Sequence, residues 1–137
     1  RLCEDNNSWA SLEGFLDRKE LSRYMGDNRY GINTAEDEPF GIGIAEMVKS
    51  GCITFVANSG GQTEIVGSND LVFDNVDDAV KKISNVLTDR SQADSLLSHL
   101  QERSKLFSAK KFSSQFKQII GEAIDAKAST LDPAIHP

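Results

Sequence analysis

The sequence predicts an α/β fold in which helices flank a parallel β-sheet. Short β-branched and aromatic runs alternate with segments of helical periodicity, and the chain then ends in consecutive helices. The run CITFVA at residues 52–57 is apolar without a period-two alternation, which is typical of a strand covered on both faces. This order of elements favours parallel strands that are joined by right-handed crossovers.

The composition restricts the class of protein. The chain has 137 residues, enough for one domain or part of a larger one, and its 39% apolar and 26% charged residues are ordinary for a globular chain. A net charge of −6 argues against nucleic acid or an anionic membrane as the partner of this surface. Cys3 and Cys52 lack metal or redox spacing, so we expect a reducing, cytoplasmic setting, with Cys52 in the core. The chain opens at RLCEDNN without a Met, and we expect a fragment or excised domain.

The elements follow one another in a regular order. We expect strands at residues 11–16, 29–35, 52–57 and 71–73, helices at 17–26, 40–50, 74–89, 91–107 and 108–124, and one helical turn at 63–66. Asp17 and Ser108 are the expected N-caps of two helices, and Gly26 is expected to end the first of these. Three helices carry apolar stripes: Leu21, Tyr24 and Met25; Val76, Val80, Ile83 and Leu87; and Phe112, Phe116, Ile119 and Ile120.

Two glutamates flank an apolar, glycine-containing run in the stretch EPFGIGIAE. Glu38 lies just before the predicted helix, and Glu46 lies about a turn and a half inside it. The first turn of a helix leaves free N–H groups, Gly41 permits close approach to the backbone, and such a helix start favours a phosphate. Because helical side chains lean toward the N-terminus, both carboxylates can reach one pocket there.

A sugar nucleotide reconciles two acids with a phosphate site. Its diphosphate would meet the backbone amides, while Glu46 would accept hydrogen bonds from a ribose diol and Glu38 from sugar hydroxyls. The loops NTAEDEP and ANSGGQ follow two predicted strands, so they would share the ligand-binding rim of the sheet. The alternative interpretation makes Glu38 a solvated loop acid and Glu46 a helix residue that points to water.

The motif EPFGIGIAEMVKSG resembles the E-x(7)-E signature of retaining glycosyltransferases with the GT-B fold, especially glycosyltransferase family four. NSGGQTEIV resembles the Gly-Gly-x-x-Glu loop of that family, and LEGFLDRKELSRYM and FSAKKFSSQF are similar to its flanking segments. The resemblance extends from about residue 12 to residue 120. It implies that residues 1–126 are the latter part of a Rossmann-like C-terminal GT-B domain, followed by a tail at 127–137. The N-terminal domain of the enzyme would be missing, so the fragment would not be active alone.

The resemblance also implies an activity. The protein would be a hexosyltransferase-type enzyme that moves a sugar from a UDP-, GDP- or ADP-sugar to a sugar, glycan or lipid-linked acceptor, in polysaccharide or glycolipid biosynthesis. It implies a catalytic Glu38, as nucleophile or orienting group, and no cofactor. The implied nucleotide-sugar contacts are Leu16, Phe40, Gly41, Ile42, Glu46, Gly60 and Gly61.

Other inferences stay open at this point. The main alternative function is a non-catalytic Rossmann-like module that binds a nucleotide or phosphate. His99 and His136 are isolated, so we expect neither to serve as metal ligand or base. The resemblance implies a cytoplasmic enzyme, with peripheral contact to the inner face of a membrane.

Overall fold

The fold is built on a three-stranded parallel sheet with the order β1-β2-β3. The computed structural model describes residues 5, 6 and 8–130. The strands are β1 (Tyr30–Asn33), β2 (Ile53–Ala57) and β3 (Val72–Phe73), with Tyr30 opposite Ile53 and Val56 opposite Val72. The central strand β2 is buried on both faces, because helices cover the sheet on either side. The predicted α/β fold with a parallel sheet is confirmed.

Six helices accompany the sheet in the part of the chain that the structure describes in full. They are α1 (Arg18–Asp27), α2 (Ile42–Lys49), α3 (Gln62–Val66), α4 (Val76–Thr88), α5 (Arg90–Ser104) and α6 (Ala109–Thr130), with short 3-10 turns at Asn69–Leu71 and Lys105–Phe107. The first four residues of the predicted tail, 127–130, continue α6, while residues 131–137, with His136, lie outside the described residues, as does Cys3. None of the helices described combines the length and apolar character needed to cross a membrane.

The core forms where α2, α3, α4 and α5 pack against β2 and β3. Fully burying a large aliphatic or aromatic side chain contributes about 1.5–3 kcal/mol, so this cluster supplies most of the favourable free energy of folding. Its members are Ile44, Val48, Ile53, Phe55, Val56, Ile65, Val66, Leu71, Phe73, Ala79, Val86, Ala93, Leu96 and Leu100.

Helix α1 begins as the sequence predicts. The Asp17 carboxylate accepts hydrogen bonds from the backbone N–H groups of Lys19 and Glu20, and the Glu20 carboxylate accepts one from the Asp17 N–H, which completes a capping box. The helix ends one residue later than predicted, at Asp27.

Cys52 lies in the core, as predicted, and joins α1 to the sheet. Its thiol lies 3.1 Å from the carbonyl oxygens of both Met25 and Asn28, to which it can donate. Burial raises the pKa of the Cys52 thiol, since removal from water disfavours the thiolate. This residue therefore acts as a small packing group with a weak donor.

A polar cluster closes the end of β3. The Lys82 ammonium donates to the Val72 carbonyl oxygen at 2.5 Å and to the Asp78 carboxylate at 3.0 Å, and that carboxylate also accepts from the Asp74 N–H. The hydrogen bond from Lys82 and then the one from Asp74 lower the pKa of Asp78. An ionised Asp78 therefore favours the folded state.

Several local expectations were wrong. Residues 11–16 form no strand, because none of the described strands pairs with them and Phe15 is 97% exposed. Helix α2 begins at Ile42 rather than residue 40. In α4 the predicted stripe is mostly exposed, and Ala79 and Val86 are the buried residues, because the helix presents a neighbouring face to the sheet.

Candidate functional site

The loops that follow β1 and β2 lie side by side at the carboxyl edge of the sheet. The Gly61 N–H donates to the Glu38 carbonyl oxygen at 2.9 Å, and the Asp37 N–H donates to Ser59 Oγ at 2.5 Å. This is the position at which open parallel sheets bind ligands. The two loops therefore share one rim of the sheet, as the sequence predicts.

The glycines of the second loop allow this close approach. A Cβ at Gly60, whose φ is +60°, would clash with the Glu38 carbonyl oxygen, and a Cβ at Gly61 would lie 2.6 Å from the Pro39 carbonyl oxygen. Both positions therefore require glycine for packing alone. Gly61 also lines a neighbouring cavity, where its backbone can meet a ligand, whereas Gly60 is not among the lining residues.

Gln62 is hydrogen-bonded to residues at the ends of both strands, next to the two loops. This residue was not identified from the sequence. Its side chain is fully buried; Oε1 accepts from Asn33 Nδ2 at 2.9 Å, and Nε2 donates to the carbonyl oxygens of Ala35 and Ala57 at 2.9 and 3.0 Å. The side chain thus joins the carboxyl ends of both strands, through the last residue of each and through Ala35, which follows β1. Nothing local in the sequence marked this glutamine, since its partners lie up to 29 residues away.

The amino end of α2 is built around Gly41. This residue has a φ of +81° and is buried, and a Cβ there would lie 2.9 Å from Ile65 Cδ1. Its N–H donates to Glu38 Oε1 at 3.0 Å. Gly41 is the N-cap of α2 and has no side chain that could accept a hydrogen bond from the first turn. The first turn therefore carries the positive end of the helix dipole beside the rim, with the Glu38 carboxylate already drawn to it.

Glu46 lies on the second turn of α2 with an arginine as its partner. Its Oε1 accepts from Arg18 Nη2 at 2.5 Å, and the side chain is 31% exposed. Arg18 is the first residue of α1, and the sequence offered no signal for this contact. Leu16, expected near a base, lies two residues before Arg18 and is half-buried.

A cavity of about 680 Å³ opens beside these residues. Phe40, Ile42 and Glu46 contribute to its wall from α2 and the preceding loop, and Gly61 and Glu64 from α3 and the glycine loop. The opposite wall comes from the junction of α5 and α6 and includes Arg103, Leu106, Phe107, Lys111 and Phe112. Glu38 is not among the lining residues.

A second cleft, of about 760 Å³, lies between α1 and α2. Glu46 lines it together with the cations Arg18, Lys19, Arg23 and Lys49. Glu46 is therefore shared by both spaces. The positive side chains here contrast with the net charge of −6 of the chain, so this cleft attracts anions more than the rest of the surface does.

Two further polar residues, on α5, contact the end of α3, the helix that follows the glycine loop. Arg103 donates to the carbonyl oxygens of Glu64 and Ile65, and His99 Nε2 lies 2.9 Å from the Val66 carbonyl oxygen, so His99 donates there. These contacts satisfy carbonyl groups at the end of α3. Within the described residues, no group of three or more His, Cys, Asp and Glu side chains is placed to hold a metal ion.

Comparison with known proteins adds independent evidence. The family model for glycosyl transferases group 1 matches residues 10–106. The chain is also similar to a GDP-Man:Man(3)GlcNAc(2)-PP-Dol alpha-1,2-mannosyltransferase from Dictyostelium discoideum, with 28% identity over 109 residues. The match covers 77% of this chain and 22% of that protein, so the chain spans about a fifth of the relative's length. No solved structure matches the chain.

Proposed function

The chain belongs to the glycosyl transferases group 1 family, and from this premise we propose that it forms the donor-binding part of a retaining glycosyltransferase. The enzyme moves a hexosyl group from a nucleotide diphosphate sugar to an acceptor hydroxyl. The bond between the anomeric carbon and the diphosphate breaks, and its electron pair leaves with the diphosphate. The anomeric carbon bonds to the acceptor oxygen with retained configuration, and the proton of that oxygen passes to the departing diphosphate.

One observation carries the proposal. The amino end of α2, the glycine loop and Glu46 surround one cavity at the carboxyl edge of the parallel sheet. The amide dipoles at this helix start are oriented to stabilise the negative charge that develops on a departing diphosphate. Phe40 and Ile42 line the cavity from this segment, whereas the buried Gly41 does not. Glu46 is the group assigned to the ribose diol.

Glu38 has a different task in this scheme. Its carboxylate accepts a hydrogen bond from the Gly41 N–H. A donor phosphate competes for that amide, and its arrival releases Glu38 toward the sugar, where the carboxylate stabilises positive charge on the reacting ring or orients it. The clamp on the Glu38 carbonyl by the Gly61 N–H keeps the backbone fixed while the side chain turns.

The name of the Dictyostelium discoideum relative specifies GDP-Man as donor and Man(3)GlcNAc(2)-PP-Dol as acceptor. This supports a sugar nucleotide donor and an acceptor that already carries sugars, and it makes a GDP-sugar the first donor to test. We also propose that an N-terminal domain of the same enzyme completes the cleft. Exposed apolar residues such as Trp9, Phe112 and Phe116 support further packing partners. For the whole protein we propose a cytoplasmic location with peripheral contact to the inner membrane face.

The decisive experiment replaces Glu46 by alanine in the full-length protein. UDP-, GDP- and ADP-sugars are first screened by thermal shift, and the affinity of the best donor is then measured by calorimetry. Loss of hydrogen bonds from a charged acceptor costs about 1.5–3 kcal/mol, so we expect donor affinity to fall about 10- to 150-fold. Glu102→Ala is the control, since Glu102 is exposed and pairs with Lys105 away from the cavity. An unchanged donor affinity in Glu46→Ala removes the ribose role and with it the proposed site.

A further inference from the structure

The contact between Arg18 and Glu46 links two helices that are distant in sequence. Arg18 Nη2 lies 2.5 Å from Glu46 Oε1, across 28 residues of chain. The Arg18 side chain is 86% exposed and the Glu46 side chain 31% exposed. Among the described residues, the Glu46 carboxylate has no other hydrogen-bond partner, so its second oxygen is available to a ligand.

Stability does not account for this contact. Exposed ion pairs contribute about 0–1 kcal/mol to folding, because solvent screens them and two long side chains lose rotamer freedom. The charge-assisted hydrogen bond from Arg18 Nη2 to Oε1 favours one orientation of the Glu46 carboxylate, with Oε1 toward α1. It also places a cation next to the one acid that faces both the cavity and the basic cleft.

We propose that Arg18 is a positioning residue for recognition of the donor ribose; this inference rests on the function proposed above. Arg18 holds Oε1 of Glu46, so that Oε2 is presented to a ribose hydroxyl. Its positive charge also reduces the repulsion between the Glu46 carboxylate and the donor diphosphate. Discrimination between ribonucleotides and deoxyribonucleotides by this enzyme therefore depends on Arg18 as well as on Glu46.

The test compares Arg18→Ala with a matched control. Arg90 is also the first residue of its helix, follows an aspartate N-cap, is 89% exposed and pairs with an acid, Asp94, at 3.9 Å. Binding of UDP, GDP and ADP, and of the 2′-deoxy and 3′-deoxy forms of whichever binds, is measured by calorimetry on the full-length protein. Circular dichroism verifies that each variant is folded.

We expect Arg18→Ala to weaken binding of the ribonucleotide about three- to fivefold, which corresponds to the upper range for an exposed ion pair. Binding of at least one deoxy form should weaken less, so the ratio of the ribonucleotide affinity to the affinity of that deoxy form falls. Arg18→Lys keeps the positive charge but lacks the planar guanidinium group. This variant should recover part of the affinity, while the ratio should stay below that of the wild type. Arg90→Ala should match the wild type in both quantities.

Equal losses for the ribonucleotide and both deoxy forms would overturn the inference, because Arg18 would then act only through its charge. Unchanged affinities in Arg18→Ala would overturn it as well. The outcome is separable from that of the proposed function. If Glu46→Ala weakens donor binding while Arg18→Ala leaves the ratio intact, the ribose site stands and only the role of Arg18 fails.

Discussion

Replacing Gln62 by leucine tests whether one buried side chain holds the two loops of the site together. Gln62 is fully buried and makes three hydrogen bonds of 2.9–3.0 Å, to Asn33, Ala35 and Ala57. Leucine has a similar volume, so little cavity forms, but all three bonds are lost. A typical hydrogen bond contributes about 0.5–1.5 kcal/mol net, and partners left unsatisfied add to the cost. We expect the free energy of unfolding to fall by about 2–4 kcal/mol.

The measurement is equilibrium urea unfolding of the protein followed by far-ultraviolet circular dichroism, with the free energy obtained by linear extrapolation. Gln101→Leu serves as the control, because Gln101 is exposed on α5 and a surface substitution changes stability by less than about 0.5 kcal/mol. Weaker donor binding should accompany the loss of stability, since the loops that carry the glutamate and the glycines lose the contacts of the Gln62 side chain and keep only the direct bonds between them. If Gln62→Leu destabilises the protein no more than Gln101→Leu does, the clamp contributes nothing and the reasoning is refuted.

Three further predictions concern other parts of the structure. Gly60→Ala should destabilise the protein by about 1–3 kcal/mol, because its φ is +60° and the added Cβ meets the facing loop, whereas Gly26→Ala, with open space around it, should be neutral or stabilising in the same urea titration. The hydrogen bond from Lys82 lowers the pKa of Asp78, so the ionised carboxylate stabilises the fold at pH values above its unfolded pKa of about 3.9. This stabilisation is lost as the pH falls through the lower pKa of the folded state. Asp78→Asn should therefore reduce the loss of stability between neutral and acidic pH, and an unchanged stability–pH profile would contradict the prediction. Glu38→Gln should keep donor affinity near that of the wild type while turnover, measured as released nucleoside diphosphate, falls roughly 100-fold; normal turnover would exclude Glu38 from the mechanism.

The local patterns of the sequence predicted most elements, but they did not determine which face of a helix is buried. Capping at Asp17 and the buried run of β2 depend on residues near in sequence, so they could be read directly. The stripe that contains Val76 is a real apolar face of α4, yet the helix buries Ala79 and Val86 instead. Periodicity identifies an amphipathic helix but does not fix its rotation when apolar residues extend around more than one face.

The sequence by itself determined the α/β class, the parallel order of strands and helices, and the motif of Glu38, Gly41 and Glu46 at one helix start. Each of these is encoded in residue types and spacings that act over a few positions. Only the tertiary structure decided that Arg18 pairs with Glu46, that Gln62 joins the two rim loops and that residues 11–16 form no strand. These outcomes depend on which distant groups meet, and a hydrogen bond or a strand pairing exists only when folding brings its second partner within reach.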